Sequence, residues 1–189
     1  MGDISIIQAL LVFVVAFIMG IDQFSFLESL YQPIVTCPII GAILGNFELG
    51  IVVGGAYQLI QIGSMPIGGA QPPNAILGGI MATVFAVSLG MEATADGVGA
   101  AMGLAIPFAV FGQYAVTLTF TAMSGMMAKA DKYAEEANVK GIRNLNFLEM
   151  AILGTLFGLL AVAGLYGGTA LGEALKDFSW QFSWVMAGL

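Results

Sequence analysis

The 189-residue chain is 59% hydrophobic and only 9% charged, with a mean hydropathy of +0.94. So little charge cannot hydrate the surface of a globule, where about 25% of residues are normally charged, so the composition specifies a polytopic membrane protein. The net charge of −7 argues against nucleic acid as a partner, the lack of histidine removes histidine metal sites, bases and phosphohistidine carriage, and a lone Cys37 excludes an internal disulfide framework.

The apolar segments are uneven in length. Ile4 to Gly20, "ISIIQALLVFVVAFIMG", lacks a basic leader and a small-residue cleavage site, and reads as a retained first span. Ile34 to Leu44 and Leu49 to Ile62 are short. Ala75 to Leu89 gives only about 22 Å of helix, against a hydrocarbon core about 30 Å thick. Gly99 to Met123 and Leu148 to Leu171 are long enough to cross. The expected fold is therefore an all-α membrane protein, a helical bundle with short discontinuous or re-entrant helices, forming a single membrane-embedded domain over 1–189.

Four of the five bases, Lys129, Lys132, Lys140 and Arg143, lie between Ser124 and Asn146, so that loop is expected on the cytoplasmic side, where "AKADKYAEEANVKG" forms a short solvated helix. The loop is a charged connector or a docking surface for a cytoplasmic partner. The pairs Gly41/Gly45, Gly50/Gly54, Gly99/Gly103 and Gly154/Gly158 have the spacing that lets helix backbones approach closely, within one subunit or between chains.

The polar residues at membrane depth carry the functional signal. "GGAYQLIQIGSMPIGGAQPPNA" holds Gln58, Gln61, Ser64, Gln71 and Asn74 within 17 residues and contains no charged residue. Amides both donate and accept hydrogen bonds, which suits neutral polyhydroxylated ligands better than ions. Pro66, Pro72 and Pro73 interrupt the helix and free carbonyls, while Gly68 and Gly69 permit close backbone approach. The alternative is that the amides cap the broken helix ends. A second cluster, "GIDQFSFLES", places Asp22, Gln23 and Glu28 after the first span, in a site or in an interfacial loop. The candidate substrate-binding set is Gln58, Gln61, Ser64, Gly68, Gly69, Gln71, Asn74, Asp22 and Gln23. Glu48, Glu92 and Asp96 read as solvated loop residues. No catalytic residue, metal site or cofactor is assigned.

The run P-x-x-x-C, then G-x-x-x-G-[DN]-x-x-x-G, then G-G, then G-G-x-Q-P-P-N, from Pro33 to Asn74, resembles the core of the IIC subunits of the mannose-type phosphoenolpyruvate:sugar phosphotransferase system. "KADKYAEEAN" is similar to the cytoplasmic loop of that family, and "GGAQPPN" resembles its sorbose and N-acetylgalactosamine branch more than its mannose branch. The resemblance implies a multi-pass protein of the bacterial plasma membrane that recognises and translocates a hexose or amino sugar. It implies pairing with a IID membrane subunit, in a higher oligomer. Cytoplasmic IIA and IIB subunits carry the phosphohistidines, and IIB phosphorylates the sugar. Many relatives have glutamate where this chain has Gln58, which cannot take a proton from a sugar hydroxyl. The family usually continues with further membrane segments, so Ser179 to Leu189 is expected to lead into a missing half. The alternatives are a secondary transporter or channel for a small polar solute, or a non-transporting membrane scaffold.

Overall fold

The computed structural model describes residues 4–64, 67 and 71–175, with side chains as far as residue 168. Helix α1 (Ile6–Ser25) begins at a capping box: Gln8 N–H donates to Ser5 Oγ at 3.3 Å, and Ser5 N–H donates to Gln8 Oε1 at 3.0 Å. Its 20 residues give about 30 Å of helix, the thickness of the hydrocarbon core. It passes beyond the expected end at Gly20, because no proline or unpaired charge interrupts "IDQFS".

Two short helices follow. α2 (Pro33–Leu44) starts with proline in its first turn and ends at Gly45, whose φ of 91° is in the left-handed region that favours glycine. α3 (Phe47–Ile62) is capped by Asn46, which accepts from Leu49 N–H at 3.0 Å. The two run antiparallel as a tight hairpin. A Cβ on Gly41 would lie 2.9 Å from Gly50 Cα, and one on Gly54 would lie 2.7 Å from the Pro33 carbonyl. Gln8 Nε2 donates to the Ile43 carbonyl at 3.0 Å, so the hairpin tip lies level with the start of α1. Neither helix is long enough to cross a bilayer alone.

Helix α4 (Ala75–Ser88) is the centre of the bundle, with 12 of its 14 residues buried. A helix that is apolar all round must be enclosed by other helices, and α2, α3, α5 and α7 supply that enclosure. α5 (Ala95–Met123) spans 29 residues and includes Pro107. A 3₁₀ turn (Ser124–Met126) and the exposed α6 (Met127–Glu135) follow, then α7 (Val139–Leu175). α1 and α7 pack antiparallel: Phe13 covers Gly158, Phe17 covers Gly154, and Phe157 covers Gly20. By contrast, Gly99 and Gly103 have open space where a side chain would be.

Among the described residues three helices are long and apolar enough to cross a membrane, and three more are short and apolar. The bundle carries exposed Leu10 and Leu11 on α1, Phe111 and Leu118 on α5, and Leu159 on α7, surfaces that belong in lipid. The basic connector is more helical than expected. Asn138 caps α7, accepting from Gly141 N–H at 2.9 Å, so Lys140 and Arg143 lie on its first turns. Gly141 lies under the Tyr133 ring, which folds α6 back onto α7. Glu48 and Asp96 lie in the first turns of α3 and α5, both exposed, where a negative charge favours the helix start.

Candidate functional site

The break between α3 and α4 resolves at Asn74. Pro72 and Pro73 supply no backbone donor and hold the chain extended up to the helix start. Asn74 itself is 2% exposed. Its Oδ1 accepts from Ile76 N–H and Leu77 N–H, both at 3.1 Å, and so caps α4. Its own N–H donates to the Ala109 carbonyl of α5 at 2.9 Å. The remaining end, Nδ2, points away from the helix toward Gln23 Oε1 at 3.4 Å and Gln113 Oε1 at 3.5 Å. Gln113 Nε2 in turn donates to Gln71 Oε1 at 3.1 Å. Four amides from α1, α5 and the segment before α4 thus form one chain of hydrogen bonds.

This chain lies on the wall of a cavity of about 820 Å³, within the size range of small-molecule sites. Gln23, Phe24, Glu28 and Tyr31 come from the end of α1 and the turn after it, and Gln61 and Ser64 from the end of α3. Gln71 to Ala75 form another wall, and Gln113, Val116, Thr117, Phe120, Thr121 and Ser124 come from α5 and its end. The hydroxyls of Thr117 and Thr121 donate to the carbonyls of Gln113 and Thr117, each at 2.9 Å. Their lone pairs therefore remain as acceptors, while the amides supply both donors and acceptors. Phe24 and Phe120 meet edge to face at 5.1 Å and give the cavity an apolar flank.

Five of the candidates read from the sequence, Gln23, Gln61, Ser64, Gln71 and Asn74, come together on this wall. Two do not line it. Gln58 holds the open end of the α2–α3 hairpin: its Oε1 accepts from Ile34 N–H at 3.3 Å, and its Nε2 donates to Gln32 Oε1 at 2.9 Å. Asp22 is fully buried, and its carboxylate accepts from Leu27, Leu30 and Tyr31 N–H at 3.2, 2.7 and 3.0 Å. Gly68 and Gly69 lie outside the described residues. The sequence reading left out Gln113, Thr117 and Thr121. Their spacing of four places them on one face of α5, a polar row on a lipid-length span, and that was the available signal. Cys37 is fully buried beneath Gly79, whose Cβ would lie 3.0 Å from its Sγ.

Broken apolar helices closing on a polar cavity, within a bundle of membrane length, define a solute-handling integral membrane protein. The chain belongs to the family described as the PTS system sorbose-specific IIC component, whose model matches residues 6–189. It is 37% identical over 166 residues to the N-acetylgalactosamine permease IIC component 1 of Escherichia coli K12, covering 88% of this chain and 60% of that protein. It is 34% identical over 144 residues to the mannose-specific EIIC component of the same organism, covering 74% of this chain and 51% of the relative. The chain thus spans between half and two thirds of the length of these two relatives. Among solved structures it is similar to a chain in the cryo-EM structure of the mannose transporter ManYZ in complex with a microcin. That match has a TM-score of 0.77 and 26% identity, and covers 98% of this chain and 75% of the other.

Proposed function

We propose that the chain is the sugar-recognising and translocating IIC subunit of a group-translocating permease in a bacterial inner membrane. Its substrate is a hexose or amino sugar, with N-acetylgalactosamine the first candidate from the relative's name. The observation that carries the reading is the chemistry of the cavity: amides and hydroxyls from four segments converge on one volume, and among the described lining residues only one is charged. Pyranose hydroxyls need partners that both donate and accept, which Gln23, Gln71, Asn74 and Gln113 provide. The apolar face of the ring needs a surface such as Phe24 and Phe120.

The wall of the cavity runs to Ser124, where the chain leaves α5 for the basic connector. The positive-inside rule assigns that end to the cytoplasm, so the bound sugar faces the side where a soluble IIB carrier approaches. The chain has no histidine, so the phosphoryl group arrives on another subunit. Pairing with a IID membrane subunit gives the open faces of Gly99 and Gly103 a neighbour, and soluble IIA supplies IIB.

Uptake of radiolabelled N-acetylgalactosamine into vesicles carrying the complete permease tests this. Sugar phosphate should accumulate inside only when phosphoenolpyruvate and the soluble carriers are present. Accumulation of unmodified sugar without them would make the protein a secondary transporter or channel. A cysteine at exposed Glu135 on α6 should resist impermeant thiol reagents in intact cells. Rapid labelling from outside would invert the orientation.

A further inference from the structure

The described wall of the cavity holds one carboxyl group and no base. That carboxyl belongs to Glu28, and the other polar residues there carry amides or hydroxyls. The nearest bases along the chain from that wall, Lys129 and Lys132, lie on α6 and do not line it. Glu28 also has an unusual backbone. Its φ of 53° is in the left-handed region, which side chains other than glycine, asparagine and aspartate seldom adopt.

The turn that holds it there is secured on both sides. The buried Asp22 carboxylate accepts from Leu27 N–H before it, and from Leu30 and Tyr31 N–H after it. Ser29 Oγ donates to the Leu27 carbonyl at 3.0 Å, and Gln32 Nε2 donates to the carbonyl of Glu28 itself at 3.4 Å. Asp22 therefore acts as a positioning residue that carries Glu28 to the cavity.

We infer that Glu28 sets the charge selectivity of the cavity, admitting neutral and cationic sugars and rejecting anionic ones, the phosphorylated product among them. The inference rests on the function proposed above. A phosphate monoester carries a charge of about −1.5 to −2 at neutral pH, and proteins hold it with arginine, lysine or the free N–H groups of a helix start. The described lining of this cavity has no such base. The helix start it does contain, that of α4, already has the N–H groups of Ile76 and Leu77 bound to Asn74 Oδ1. A negative charge on a lining residue disfavours an incoming or newly formed anion. A sugar that becomes a phosphate ester in this cavity thus loses its place there, which favours release over rebinding.

The test is competition for radiolabelled N-acetylgalactosamine on membrane vesicles carrying the full-length protein, using the unlabelled sugar and its 6-phosphate at low ionic strength. The readout is the ratio of the two inhibition constants. For the wild type the 6-phosphate should compete at least about tenfold more weakly than the sugar, as expected for like charge in a shared site. Glu28→Gln should narrow that ratio by about tenfold, and so should Thr121→Lys, which adds a cation to the same wall while leaving Glu28 in place. An unchanged ratio in a variant that still binds the sugar overturns this inference and leaves the proposed function standing. No saturable sugar binding by the wild type overturns the proposed function, and the inference with it.

Discussion

Two groups of amides lie at broken helix ends, and they finish with different roles. At the base of the α2–α3 hairpin, Gln58 has its oxygen on the backbone of Ile34 and its nitrogen on Gln32. At the start of α4, Asn74 gives its oxygen to the helix, but its nitrogen joins Gln23 and Gln113 on an open wall. Residue type and helix break are alike in both places. What separates them is the cavity beside the second, lined by Asn74 and by residues of α5 and not by Gln58. A polar group at membrane depth becomes a candidate for a site where it lines a void as well as serving the fold.

The largest effect is expected at Asp22, whose carboxylate, like the Gln58 amide, is bonded within the fold and does not line the cavity. Asp22→Ala leaves three backbone donors without their acceptor, each at a cost of about 1–3 kcal/mol where water does not reach it. Little folded protein should be recovered from the membrane, measured as monodisperse yield after detergent extraction. Wild-type yield would show that the turn after α1 holds without it.

Asn74 both caps α4 and lines the cavity, so it sharpens the comparison. Asn74→Ala should lose the cap, about 1 kcal/mol, and the amide donor as well, lowering both thermal stability and sugar affinity. Asn74→Ser retains a capping oxygen but lacks the amide nitrogen. It should keep most of the stability while sugar affinity falls roughly 5- to 150-fold, the equivalent of about 1–3 kcal/mol for an unpaired polar partner. Equal loss of stability in both variants would show that the nitrogen serves the fold too.

The smallest effect is expected at Gln58. Gln58→Ala should reduce thermal stability by about 0.5–1.5 kcal/mol, the net value of a typical hydrogen bond, and leave sugar affinity as it was. A clear fall in affinity with normal stability would move Gln58 into the site and dissolve the contrast.

The sequence showed the breaks more clearly than their uses. Pro33, Gly45 and the Pro72–Pro73–Asn74 run mark helix ends by their own backbone chemistry, so the short helices were legible before any packing was known. The concentration of amides around the second break was legible for the same reason. Gln113, Thr117 and Thr121 were not, because a polar row on a long span does not reveal which neighbour it faces. The burial of Asp22 and the closure of Gln58 against Gln32 depend on turns and pairings between distant segments, 26 residues apart in the second case. The early start of α7 is not legible in hydropathy, which marks where a helix enters lipid, whereas Asn138 caps this helix well before that point.

The most direct test of the central claim is Gln71→Ala, with sugar affinity and thermal stability measured on the same preparation. Gln71 is exposed to the cavity and is bonded to Gln113, so the fold has little need of it. The account predicts unchanged thermal stability and a loss of N-acetylgalactosamine affinity of roughly 5- to 150-fold. Unchanged affinity in a well-folded Gln71→Ala protein would contradict the assignment of this cavity as the sugar site.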